Sequence, residues 1–302
     1  MMMKPYILYG LLFLGLITTL TIIKFQERDN FPIKVNKPQK SKFWKWWSKA
    51  KKTPKKVDFS KPVKMKRDSG DCKMSHFEHK WSDYNGRSYA MTWEVCRKDY
   101  QEALQYRSKT SSYVQMVEHD LPAMLPMVEA YKQLIDENQL NRFEALNMVV
   151  SSMQAIEYTL VHTNSHFLAN FKSSYYREYH QAHQNLHPLQ QVGGCLENIE
   201  PMACVSPLEV AYHQMADCDS RTTFLFLILK KLGYDVIVLA GPSSVNSYHS
   251  ILAINILEGR GKHYDYLGKR YYLFETTYYP AQIGDFSPSI PYDQRQWDVY
   301  LY

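Results

Sequence analysis

The rhythm of apolar and polar positions changes several times along this chain. From Pro5 to Ile23 there are nineteen consecutive residues without a charge, bounded by Lys4 and Lys24. At 1.5 Å per residue such a helix crosses a bilayer, and no small-residue cleavage site follows, so residues 1–25 read as an uncleaved transmembrane anchor. Residues 26–70 lose apolar periodicity, carry Pro32, Pro38, Pro54 and Pro62, and read as a linker. In residues 71–115, "DYNGRSY" holds an Asn-Gly turn signal, and Tyr89, Met91, Trp93 and Val95 then alternate. That pattern predicts a hairpin in a small strand-rich module.

Residues 116–302 form the main predicted domain. "YVQMVEHDLPAMLPMVEAYKQLIDENQL" and "NRFEALNMVVSSMQAIEYTLVH" space their apolar residues by three and four, so residues 101 to about 187 read as mostly helical. Pro122 and Pro126 are expected to break that run or to start turns. No internal repeat is present. In the last hundred residues, "RTTFLFLILKKLG" is a strongly apolar helix ending at Gly233, "YDVIVLAG" suits a buried strand, and "HSILAINIL" and "RYYLFETT" follow around a polar loop. A helix followed by several strands predicts an α+β fold, its central helix packed on a mostly antiparallel sheet.

Charge refines this picture. The 302 residues carry a net charge of +6, yet sixteen basic and three acidic residues fall between Lys24 and Arg67, leaving the rest of the chain net acidic. A uniformly basic nucleic-acid binder is thereby excluded, and no nucleic-acid partner is expected. Within the basic stretch, "KFWKWWSKAKK" sets Trp44, Trp46 and Trp47 among lysines, which suits lipid headgroups and equally suits a solvated tether; a single nucleic-acid strand is a third, weaker fit. The five cysteines allow two disulfides, Cys72 with Cys96 and Cys195 with Cys204, leaving Cys218 unpaired. Such bridges need an oxidising compartment, so the domain is expected on the extracytoplasmic side, although counting positive charges after the anchor favours the cytoplasm.

Cys218 carries the candidate chemistry. Asp217 is a plausible N-cap, which places the thiol in the first turn of the apolar helix with Arg221 one turn on, an arrangement expected to favour thiolate. His249 opens the strand "HSILAINI", and Glu275 closes "YYLFETT" on what would be a neighbouring strand. Antiparallel pairing would bring these two together, giving nucleophile, base and orienting acid. The Cys218 backbone N–H, with Gln214 or Tyr212, is the candidate oxyanion donor set.

The stretch "PLEVAYHQMADCDSRTTFLFLILKKLGYDVIVLAG", followed by "SYHSILAINI" and "GKRYYLFETT", resembles the bacterial transglutaminase-like family from about Ser206 to Gly284. "MVVSSMQAIEY" is similar to the helix that precedes the cysteine motif there. The resemblance implies a papain-like fold and a thiol enzyme acting on peptide or amide bonds, with nucleophile, histidine and acid falling on Cys218, His249 and Glu275. It departs from the family pattern at Ala216, where glycine is usual before Asp-Cys, and at Tyr248, where glycine often precedes the histidine. Both changes bear on access to the thiol.

Other readings compete. His162, His166, His180, His183 and His187 cluster, and "HTNSH" sets two of them at helical i, i+4 spacing. The motif lacks the glutamate of HExxH, and solvated or capping histidines fit better than a metal site. Asp217 and Asp219 are expected to cap the helix and pair with Arg221. No glycine-rich phosphate loop is present; no cofactor and no metal are expected. Three functions follow: a membrane-anchored thiol enzyme that hydrolyses or transfers peptide or amide bonds of a peptide or protein substrate; an inactive relative that binds an envelope peptide or protein; and a tethering factor in which the Trp-rich linker matters most.

Overall fold

The computed structural model describes residues 55–59, 72–163, 192–196, 199–243, 248–277, 281–287, 290 and 292–302. The anchor at 1–25, most of the linker, and His166, His180, His183 and His187 lie outside them. Among the described residues no helix is long and apolar enough to cross a membrane. The fold is mixed α+β, with five helices among the described residues and an antiparallel sheet.

Strands β1 (Met74–Ser82) and β2 (Ser88–Cys96) form the expected hairpin. Gly86 sits at φ 78°, which glycine adopts without a Cβ clash, and Asp83 Oδ1 accepts the backbone N–H groups of Asn85 and Arg87 across the turn. Tyr89, Met91, Trp93 and Val95 are all buried, and a Cys72–Cys96 disulfide closes the open end. The hairpin is not a separate module, however. Trp81 Nε1 donates to the Met148 carbonyl at 3.0 Å and Trp93 Nε1 to the Ala211 carbonyl at 3.1 Å. These two carbonyls satisfy the indole donors of the buried rings, and both belong to the main domain.

Helices α1 (Arg97–Arg107), α2 (Tyr113–Glu137) and α3 (Arg142–Gln154) follow. α2 runs unbroken through Pro122 and Pro126, contrary to the expected break. The two prolines lie four residues apart, on the same face as exposed Glu118, so the carbonyls they leave unpaired turn toward solvent. α3 starts on a capping box of Asn141 and Glu144 and is buried on almost every side.

The helical run then ends sooner than its pattern implied. Glu157–Val161 is a strand, β3, lying parallel between β4 (Val192–Leu196) and β5 (Met215–Ala216). Thr159 and Val161, β-branched and buried, suit an extended chain. His162 therefore follows a strand, and His166 lies outside the described residues.

Helix α4 (Pro207–His213) begins at a Ser206–Glu209 capping box and leads through β5 into α5 (Cys218–Lys231). Asp217 caps α5, and Gly233 at φ 83° ends it. Phe224 to Leu229 are all 0% exposed, and each such burial stabilises by roughly 1.5–3 kcal/mol. α5 packs on a five-stranded antiparallel sheet of order β10-β6-β7-β9-β8, built from β6 (Asp235–Pro242), β7 (Tyr248–Asn255), β8 (His263–Tyr266), β9 (Lys269–Phe274) and β10 (Asp298–Leu301). Ile237, Leu239, Ile251, Ala253 and Leu273 join Phe286, Trp297 and Val299 in one apolar cluster.

Part of the expected linker belongs to this fold. Lys55 pairs in parallel with Leu301, Val57 N–H donates to the Tyr302 carbonyl, and Val57 is 3% exposed. Phe59 packs on Phe226 of α5 with ring centroids 5.8 Å apart. The edge of β10 is thus covered by the chain itself.

Candidate active site

His249 is the second residue of β7 and Glu275 the first after β9. The register Leu252–Phe274 sets these two positions diagonally across the strand pair. His249 Nε2 lies 3.0 and 2.8 Å from Glu275 Oε1 and Oε2. The pair is deeply buried, with His249 8% and Glu275 0% exposed. Burial opposes the imidazolium, but the Glu275 carboxylate beside it wins and holds the His249 pKa above the ordinary histidine value. Burial likewise opposes the Glu275 charge, and His249 and two bonds from Thr277 outweigh it, drawing that pKa down. Both directions describe an imidazole oriented by a carboxylate.

The backbone around Glu275 is fixed from two sides. Gln154 Nε2 donates to the Glu275 carbonyl at 2.9 Å and to the Ala281 carbonyl at 3.0 Å. Arg221 donates to three buried carbonyls, from Nε to Ala216, from Nη1 to Thr276 and from Nη2 to Ile156. Burial pushes its pKa down to about 10. This corrects the expected roles of Arg221. Its hydrogen bonds go to carbonyls and not to Asp217 or Asp219, so it ties α5 to the residue after Glu275, while its charge still acts on Asp217 and the sulfur.

Cys218 is the first residue of α5 and partly exposed. A hydrogen bond from the Ser250 backbone, next to His249, lowers the cost of its thiolate. Burial nevertheless drives the thiol pKa well up, with the charges of Asp219 and Asp217 adding to it, so the expected preference for thiolate is reversed. The thiol donates to Asp219 Oδ1 over 3.6 Å. Asp219 also accepts from the Tyr113 hydroxyl at 3.0 Å and from Ser250 Oγ, which in turn accepts from the Tyr300 hydroxyl. Asp217 accepts the Ser220 N–H and hydroxyl, and burial beside Asp219 pushes its pKa up to about 8.

The remaining candidates are placed as follows. Tyr212 stacks on Tyr100 at 3.9 Å and meets Phe77 edge-on, on the α1 and hairpin side of α4. Gln214 holds a left-handed conformation, φ 53°, at the end of α4. Neither makes a hydrogen bond to Cys218 or His249 among the described residues. Cys204 does not bridge to Cys195: it is a free, buried thiol, and its sulfur accepts from Ser220 Oγ at 3.7 Å. Gln154 and the Tyr113–Asp219–Ser250–Tyr300 chain escaped sequence reasoning, because ordinary helix and strand residues give no signal of such long-range bonds.

The buried imidazole–carboxylate pair stands at one end of an antiparallel sheet, and Cys218 bonds the backbone of Ser250, the residue after His249; among the described residues no hydrogen bond joins the sulfur to the imidazole. An imidazole held by a carboxylate is a group able to take up and return a proton. The chain matches no family model, and no curated protein or solved structure is significantly similar to it.

Proposed function

We propose that this chain is a thiol-dependent hydrolase of peptide or amide bonds, with Cys218 as nucleophile, His249 as general base and then acid, and Glu275 as its orienting partner. The observation that carries this reading is the buried bond of His249 Nε2 to both oxygens of Glu275, beside the start of α5. With Nε2 committed to Glu275, Nδ1 is left to take the Cys218 proton. Sulfur attacks the substrate carbonyl carbon, the C–N bond breaks, and the amine leaves with the proton from the imidazolium. Water, deprotonated by the same imidazole, then splits the thioester and restores the thiol. An amine acceptor in place of water would give transamidation instead.

The Cys-bearing central helix on an antiparallel sheet, with histidine and acid on adjacent strands, supports a papain-like core of the transglutaminase-like type. The Cys72–Cys96 disulfide supports an extracytoplasmic domain held by the apolar N-terminal segment, against the positive-charge count. One observation favours a second reading, an inactive module that binds an envelope peptide or protein: burial and two nearby aspartates keep the sulfur protonated.

A peptide vinyl sulfone applied to the full chain in mild detergent tests the choice. The hydrolase reading expects Cys218 to be labelled, and His249→Ala and Glu275→Gln to slow labelling about a hundredfold or more. Equal labelling in all three chains, or none at Cys218, overturns it and leaves the binding module.

A further inference from the structure

We propose that Asp219 acts directly on the nucleophile: it holds Cys218 as a resting thiol and sets the pH at which the thiolate forms. This rests on reading Cys218 as the nucleophile. Three donors from three elements converge on one carboxylate, namely Tyr113 of α2 at 3.0 Å, Ser250 Oγ of β7, and the Cys218 thiol itself at 3.6 Å. Tyr113 and Ser250 fix the carboxylate in place, so it cannot swing away from the sulfur. A fixed carboxylate at that distance stabilises S–H and opposes S⁻.

The other charged and titratable groups facing the sulfur do not take over this role. Asp217, on the same turn, accepts from Ser220 and makes no hydrogen bond to the sulfur among the described residues. Glu275, after β9, is bonded to His249 of β7 and acts on the sulfur less than either aspartate. Arg221 spends its donors on carbonyls, while Cys204 and Tyr300 of β10 are themselves pushed well above their ordinary pKa values, burial being the largest cause. On activation the S–H···Oδ1 bond breaks, the proton passes to His249, and the electron pair stays on sulfur. Asp219 keeps its bonds to Tyr113 and Ser250.

The test is the pH dependence of Cys218 alkylation by iodoacetamide, followed by peptide mass spectrometry on the full chain in mild detergent. Asp219→Asn retains an acceptor for the surrounding hydroxyls but removes the charge, and the alkylation midpoint should fall by about one to two pH units. Asp219→Glu restores the charge and should bring the midpoint back toward the parent value. A midpoint that stays put or rises in Asp219→Asn overturns the proposal. If that variant does not fold, Asp219→Ser decides: it keeps a hydroxyl acceptor without the charge, so the midpoint should again fall, whereas no change or a rise overturns the proposal. Alkylation reads the thiol proton without any turnover. A falling midpoint in a chain that reacts with no peptide vinyl sulfone would therefore support the role of Asp219 while counting against the hydrolase reading.

Discussion

Replacing Gln154 with Met tests how the acid is held. Met keeps the length and apolar stem of Gln154 but removes the amide that donates to Glu275 and Ala281, two residues with 0% exposure. Each stranded buried carbonyl costs about 1–2 kcal/mol, so the domain should lose about 2–4 kcal/mol of stability. The Tyr84 hydroxyl, which donates to Gln154 Oε1 at 3.1 Å from a part-buried position, can turn to water and adds little. Urea unfolding should give a lower midpoint at unchanged slope, since the surface exposed on unfolding is nearly the same. Loosening the main chain at Glu275 should also slow vinyl sulfone labelling of Cys218 at saturating probe, with the half-saturating probe concentration little altered. A loss below about 0.5 kcal/mol would refute the reasoning, because it would mean that these two bonds add nothing beyond what water supplies.

Three further outcomes follow from the same geometry. Because Glu275 holds the His249 proton to higher pH, and an imidazolium cannot accept the thiol proton, the acid limb of Cys218 labelling should lie above pH 6.5 and move down in Glu275→Gln; a limb at the ordinary histidine value would count against the pair. Asp217, with its pKa pushed up to about 8, holds a proton in the folded state that the unfolded chain releases above about pH 4, so stability should fall as pH rises from 4 to 8. Calorimetry of Asp217→Asn should show a flatter dependence over that window, while an unchanged slope would assign it elsewhere. In Gly284→Ala the new Cβ would lie 1.5 Å from the Arg260 carbonyl oxygen at φ 91°; urea unfolding should report a loss of about 2–5 kcal/mol, and a parental midpoint would contradict that close approach.

The elements legible in the sequence were those whose period was unambiguous. β2 alternates cleanly, α5 and β6 each carry an unbroken apolar run, and the antiparallel order of β7 and β9 was enough to put His249 beside Glu275. What stayed hidden depended on contacts distant in sequence. β3 continues the apolar pattern of α3 and is only five residues long, so pairing with β4 and β5, not periodicity, makes it a strand. The hairpin looked autonomous because the carbonyls that satisfy Trp81 and Trp93 lie far along the chain. Arg221 beside a cysteine suggested a charge partner, and only the positions of three carbonyls reveal a clamp. Even the prolines of α2 misled, since their cost depends on which way the abandoned carbonyls point.

The docking of that hairpin also bears on how the protein is made. Its two strands and its Cys72–Cys96 bridge are local and complete early, but the Ala211 carbonyl that receives Trp93 lies 118 residues further on. At ~5–20 residues per second a ribosome needs roughly 6–24 s to supply it. For that interval a finished, oxidised ribbon displays Tyr89, Met91, Trp93 and Val95 to whatever is nearby, so the nascent chain is most exposed to misassociation before its C-terminal half exists, and a holding chaperone would act there.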